Sequence, residues 1–169
     1  MQDTLTDLET LGAVFGVTDR AQELAADYRG RLDQVAAAVG GAAPVRVAEV
    51  FVWGSDIQSL AGSSNVDLVK AAGGQNIFAD DDPRFGGMMF ASLSSEVLAA
   101  QAPEAFVFSA GSAEAAEKAK AALRAAFPTT PAVQNDKLIA YSATAALPGS
   151  LTTPEAVRFV AEQLHPDAF

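Results

Sequence analysis

Three short apolar runs, separated by segments of helical periodicity, constrain the fold of this 169-residue chain more than any other feature. They are VRVAEVFVW from Val45, AFVFS from Ala105 and LIAYSA from Leu138. Their β-branched and aromatic content and their bounding glycines and prolines mark them as strands. Strands that read as near-continuous apolar runs belong in a sheet covered on both faces. Strands that alternate with helices give a parallel arrangement. The fold expected is therefore α/β: a three-layer α/β/α sandwich with a mainly parallel sheet.

A long helix precedes that sandwich. Residues 3–15 place Leu5, Leu8, Leu11 and Phe15 near helical spacing, with Asp3 as a cap. Gly16-Val17 interrupts, and Thr18 or Asp19 caps a second helix that runs to about Val39 before Gly40-Gly41. Ala21, Leu24, Tyr28, Leu32, Val35 and Val39 fall on one of its faces. At 1.5 Å per residue it is roughly 30 Å long, enough to span a small domain. The chain divides accordingly into N-terminal helices, 1–43, and an α/β unit, 44–169.

Within that unit Gly54-Ser55 breaks the first strand, and Ser64 or Asn65 caps a short helix that Gly73-Gly74 ends. Asn76-Ile77-Phe78 leads into ADDDPRFGGMM, a loop rich in charge, proline and glycine. Ser94 caps the next helix, with Leu93 and Leu98 at the spacing of a hydrophobic staple. GSAEAAEKAKAALRAAF forms a helix to Phe127 with Glu114 and Lys118 as an i, i+4 pair, and Pro128 and Pro131 stop it. Thr153-Pro154-Glu155 starts a last helix, to about Leu164. In open parallel sheets ligands bind beyond the carboxyl ends of the strands, which selects the loops 53–59, 80–90, 109–112 and 142–150.

Composition narrows the chemistry. With 21 acids against 11 bases the net charge is −10, which repels a polyanion, and no nucleic-acid partner is expected. There is no cysteine, so no disulfide, thiolate metal site or thiol catalysis lies in these residues. No run spans a bilayer and no signal peptide opens the chain at Met1. The sole histidine, His165, ends the last helix and complements its dipole. With no G-x-S-x-G, Walker A or G-x-G-x-x-G sequence, no enzyme, catalytic residue, metal site or intrinsic cofactor is expected. Asp80-Asp81-Asp82 lacks the alternation and glycine of a calcium loop and reads as solvated.

Four residues stand at the binding edge. Trp53 closes the first strand, either as a partly buried core aromatic or as an edge contact. Met89 and Phe90 close the glycine loop, lining a pocket for a bulky ligand or covering the sheet end. Arg84 in the same loop either meets an anionic group or is an ordinary surface arginine. Glu96, in the first turn of the helix that Ser94 caps, is accounted for by the helix dipole and can also serve as an anionic handle.

The order of these segments resembles a known family. LETLGAVFGVTDRAQELAADYRGRLDQV resembles the inter-lobe region of periplasmic or lipoprotein solute-binding proteins of ABC importers for iron–siderophore, haem or cobalamin, the helical-linker class. VDLVKAAGGQNIFAD, SLSSEVLAAQAPEAFVF (with Glu104 where the family has aspartate), PAVQNDKLIAYSA and VRFVAEQLHPDAF are similar to its successive C-terminal elements.

The resemblance implies a two-lobe protein. Asp19–Val39 would be the linker helix and residues 44–169 the C-terminal lobe, with an N-terminal lobe and a lipoprotein anchor outside this sequence. It implies a cell-envelope, extracytoplasmic location and a ferric siderophore as the favoured cargo, then haem or cobalamin. Trp53, Arg84, Met89 and Phe90 would be its ligand contacts. Glu96 matches the surface glutamate that engages basic residues of the membrane permease. Tyr141 is the one residue here suited to haem iron, and it falls inside a strand. A homodimer through the inter-lobe surface is a further expectation, and an envelope interaction module or a small α/β enzyme are the competing readings.

Overall fold

The computed structural model describes every residue except 62, 63 and 148, and all side chains except those of 64–66 as well. Helices α1 (Gln2–Val14) and α2 (Thr18–Val39) form an antiparallel hairpin. Leu5, Ala25 and Tyr28 are buried between them. Gly12 permits the close approach, because a Cβ there would lie 2.4 Å from that of Ala21. The caps expected at Asp3 and at Thr18 or Asp19 are not made, since Met1 and Val17 occupy the cap positions. Backbone bonds satisfy the turn instead: Phe15 N–H donates to Leu11 O and Val17 N–H to Gly12 O. This tight reversal leaves Phe15 at the tip, 72% exposed, rather than on the buried face.

The sheet contains β1 (Val45–Trp53), β2 (Asp56–Leu60), β3 (Gly74–Asn76), β4 (Phe90–Ala91), β5 (Ala105–Ala110) and β6 (Leu138–Ser142). The order is β4-β2-β1-β5-β6, with β3 also on β1. Strand β1 is long enough to be shared. Val45–Val47 pair in parallel with β3, and Val50–Trp53 pair antiparallel with β2. Both partners lie on one side of β1, because Val47 pairs with Asn76 on that side and with Ala105 of β5 on the other. The result is a parallel body, β3-β1-β5-β6, with an antiparallel wing, β1-β2-β4.

The wing departs from the sequence expectation. Gly54-Ser55 does not break β1 into a loop but turns it into a hairpin. Trp53 pairs with Asp56 across two residues, and Gly54 takes the positive φ, +61°, required at the first position of such a turn. Gly74–Asn76, expected to lead away, is strand β3, held parallel to the start of β1.

Helices cover both faces. Val35 and Val39 of α2, Leu68 and Val69 of α3 (Ser64–Ala71) and Val157, Val160 and Leu164 of α7 (Thr153–Leu164) pack on Val47, Val107 and Ile139. On the opposite face α4 (Ser95–Ala99), α5 (Ala113–Ala126) and α6 (Pro131–Gln134) bring Leu98, Leu123 and Ala132 onto Ala48, Val50, Phe106 and Phe108. The three-layer α/β/α sandwich expected from the sequence is the observed fold. Pro131 does not only stop α5; it takes the first-turn position that starts α6, where its missing N–H is no loss. The caps expected at Ser64 or Asn65 involve side chains outside the described residues.

His165 is buried rather than displayed at a helix end. Its ring Nε2 lies 3.1 Å from Gly73 O, tying the end of α7 to the turn between α3 and β3. Gly73 adopts φ +80°, and a Cβ there would come within 2.5 Å of the same nitrogen.

Candidate functional site

Side chains alternate along a strand, and residues paired across antiparallel strands point to the same face. Phe51 pairs with Gln58, Trp53 with Asp56 and Leu60 with Phe90. Trp53, Phe51 and Phe90 therefore share one face of the wing, on the side that α3 and α7 cover lower down. Here the face is left open: Trp53 is 76% exposed, Phe51 43% and Phe90 46%. The rings of Phe51 and Trp53 stack, with centroids 6.5 Å apart and planes at 16°. The wing thus presents an aromatic platform at the carboxyl end of β1. Trp53 belongs to it and not to the core.

Met89 and Phe90 are brought to the platform's far edge and not to Trp53 itself. Phe90 faces Leu60, four residues along β2 from Asp56, a displacement of about 13 Å at the rise of a strand. Ala61 N–H donates to Met89 O, which fixes the loop end beside the end of β2. The 80–90 loop therefore flanks the wing at mid-sheet and is not one of the loops above the strand ends. Met88 and Met89 remain exposed.

Arg84 is tethered. Its backbone N–H and Nε both donate to Asp82 Oδ1, at 3.0 and 2.8 Å, and Nη2 reaches Asp82 Oδ2. The guanidinium lies 4.8 Å from the ring centre of Phe78, which packs with Phe85. These hydrogen bonds hold the Asp82 carboxyl at a pKa of about 2. Asp82 also caps the 3₁₀ turn Pro83–Phe85, so Asp82 and Arg84 form a structural clip in the loop that delivers Met89 and Phe90.

Glu96 sits in the first turn of α4, fully exposed. The Ser94 hydroxyl accepts Val97 N–H at 3.3 Å, as the sequence predicts. Glu96's own backbone N–H, then the Ser94 hydroxyl, hold its carboxyl below the usual range, so it stays anionic. The neighbouring leucines part company: Leu93 packs with Ala61, Phe78 and Phe85, and Leu98 enters the Phe106 cluster. Together they seat α4 across two cores.

Sequence reasoning missed Glu49. It lies on β1 in file with Phe51 and Trp53 and is buried, 1% exposed, under the platform. Tyr141 Oη donates to Glu49 Oε1 at 3.5 Å, and Oε2 has no partner among the described residues. Burial raises the carboxyl to about 8 despite the tyrosine's opposing bond, and Asp67 on α3 adds to the rise. Burial first, then Glu49, raises Tyr141. Tyr141 is thus an internal partner of Glu49 and does not face the platform. The signal available in sequence was a lone carboxylate inside the apolar run VRVAEVFVW.

Concavities occur at the carboxyl ends of β5 and β6. One of about 450 Å³ lies between the end of β6 and α7, lined by Tyr141, Ser142, Thr144, Glu155 and Phe159. A smaller one, about 290 Å³, lies at the start of α5 around Gly111 and Ser112. Neither includes Trp53, Arg84, Met89 or Phe90. Among the described residues no three His, Cys, Asp or Glu side chains cluster as a metal site, and no helix is long and apolar enough to cross a membrane.

The fold is thus a layered α/β sheet with an open aromatic wing, preceded by a long helix. The family model described as periplasmic binding protein matches residues 2–145, and the chain belongs to that family, a solute-binding class whose members serve ABC transporters. No curated protein sequence matches the chain.

Solved structures share the fold. The periplasmic haem-binding protein RhuT from Roseiflexus sp. RS-1 in apo form is 22% identical, with a TM-score of 0.80 over 98% of this chain and 63% of that one. A periplasmic haem-binding protein from Pseudomonas aeruginosa is 24% identical, with a TM-score of 0.82 over 99% and 61%. An ABC-type Fe3+-hydroxamate transport system protein from Saccharomonospora viridis DSM 43017 is 22% identical, with a TM-score of 0.79 over 96% and 55%. The chain thus spans less than two thirds of each of these relatives.

Proposed function

We propose that α2 is the inter-lobe linker helix and residues 44–169 the C-terminal lobe of an importer's substrate-binding protein. The lobe works outside the cytoplasm at the cell envelope, in a lipoprotein-anchored whole. Its cargo is a ferric siderophore or, after that, haem or cobalamin, captured without covalent chemistry. The observation that carries this reading is the open Phe51–Trp53 stack on the same sheet face as Phe90. Unpaired aromatic faces at a sheet's carboxyl end suit a large, partly apolar chelate. Trp53, Phe90 and Met89 contact the cargo, and Arg84 holds the rim of the loop that carries the last two.

Delivery follows docking of Glu96 on basic residues of an ABC permease. A carboxylate kept ionised on a capped helix is a fixed handle for such a partner. Co-purification with the permease tests the docking role: Glu96→Arg is expected to cut retention at least ten-fold, and unchanged retention removes the assignment. Phe90→Ala is expected to weaken cargo binding about ten-fold in equilibrium dialysis, as aromatic anchors do when truncated. No loss would remove Phe90 from the contact set.

A further inference from the structure

Strand β6 is an open edge of the sheet. Phe106 N–H donates to Lys137 O, and the parallel register that continues from there turns the backbone groups of Ile139 and Tyr141 toward β5. Leu138, Ala140 and Ser142 turn theirs outward, where no strand pairs with them among the described residues. Sheet edges are ordinarily blunted by shortness, charge or proline. The opposite edge, β4, is two residues long, and β3, beside β1, is three. LIAYS in β6 carries neither charge nor proline, and the preceding Lys137 is tied by its Nζ to Gln163 O on α7.

The two cavities at the carboxyl ends of β5 and β6 share Ala140, Tyr141 and Ser142 and lie on opposite faces of that edge. Ile139 and Tyr141 point to the α7 face, Leu138 and Ala140 to the α5 face. A strand added alongside follows the same alternation. Its residue level with Tyr141 would enter the cavity of about 450 Å³ beside Thr152, Ala156 and Phe159, which admits a bulky apolar side chain. Its neighbours, level with Ala140 and Ser142, would meet the one of about 290 Å³ at Gly111, Ser112 and Ala116, which suits a small polar side chain. Two copies of this edge could in principle pair, but each chain carries −10. That charge opposes a second copy and favours a cationic partner.

We propose that β6 docks an extended segment of another protein as a further strand: a cationic peptide that alternates bulky apolar with small polar residues. Main-chain bonds to Ala140 and Ser142 supply affinity, and the two cavities supply sequence preference. This docking involves neither Trp53 nor Phe90 and does not depend on cargo.

The experiment measures, by fluorescence anisotropy on the full chain, binding of a labelled peptide in which phenylalanine and serine alternate between terminal lysines. Saturable binding is expected, and weaker binding of the same peptide with glutamate ends. N-methylation of alternate amides, on the peptide edge that faces β6, should abolish it. Ala140→Pro removes the outward N–H without touching a bond to β5, at an edge position where proline is tolerated. It should weaken binding about ten-fold or more and leave the thermal midpoint near that of the wild type. Ala116→Met, which fills the smaller cavity from a helix, should weaken binding about three-fold and decides the matter if Ala140→Pro fails to fold. No saturable binding overturns the proposal, as does binding that N-methylation or the folded variants leave unchanged. Equal binding of the glutamate-ended peptide removes the cationic partner. Dimerisation of the chain alone that Ala140→Pro abolishes makes a second copy the occupant, and overturns the proposal too.

Discussion

Glu49 is the residue at which folding and protonation are most tightly linked. Its carboxyl ionises near 4.5 in the unfolded chain and near 8 in the folded one, chiefly through burial. Between those values the native state keeps a proton that the unfolded state has lost. Stability from this group is thus present below pH 4.5, falls as pH rises through the window and is gone above about 8. The slope reaches about 1.4 kcal/mol per pH unit. Denaturant midpoints of the wild type are expected to fall from pH 5 to pH 8, and those of Glu49→Gln to be nearly flat there. A parallel fall in both would place the pH sensitivity elsewhere. Asp82, Glu96 and Asp136, whose carboxyls are held low by their hydrogen bonds, act oppositely and lose stability only in more acid solution. Glu49 also marks a limit of sequence reading. A single acid in an apolar run does not reveal which face it takes, and its partner Tyr141 lies two strands away.

At the level of elements, the parallel body was legible and the wing was not. Val45–Trp53, Ala105–Ala110 and Leu138–Ser142 are continuous apolar runs, and that pattern alone identifies strands buried on both faces. The segment DIQSL, by contrast, is short and polar at its start, and Gly54-Ser55 suggested a break. Yet a two-residue Gly-Ser link between strand-forming runs is also a hairpin signal. What decides is pairing to β1 and β4, which periodicity does not encode. The same reasoning explains the platform: Trp53 was identifiable as an edge residue, but its stack with Phe51 exists only because β2 holds β1 extended to its last residue. Gly54→Val should strain the turn, because a β-branched side chain is poorly accommodated at positive φ. The expected cost is about 1–3 kcal/mol in the unfolding midpoint, with weakened cargo quenching of Trp53. The Ser94→Ala change should cost about 1 kcal/mol through loss of the α4 cap, leaving the hairpin untouched. If Gly54→Val proves as mild as an exposed surface substitution, the turn is not what holds the wing.

At the scale of the whole molecule, the tip of the α1–α2 hairpin is a further apolar surface among the described residues. Leu11 and Val17 are 52% exposed, and Val14 and Phe15 are more than 70% exposed. Four contiguous apolar side chains on a protruding arm gain free energy when a second surface covers them. In a solution of this chain alone that surface is a second copy, so reversible self-association is the expected behaviour. Charge opposes it, because two molecules that each carry −10 repel at low ionic strength. Added salt screens that repulsion and leaves the apolar contact in place, so association should strengthen from low to moderate salt. A contact built on ion pairs would weaken instead. Sedimentation equilibrium separates the two cases. The double substitution Val14→Asp and Phe15→Asp, on side chains that contribute little to the core, should return the chain to a monomer with its thermal midpoint nearly unchanged. A strict monomer at high concentration in moderate salt would mean that the tip, though apolar, is too small to hold two copies together.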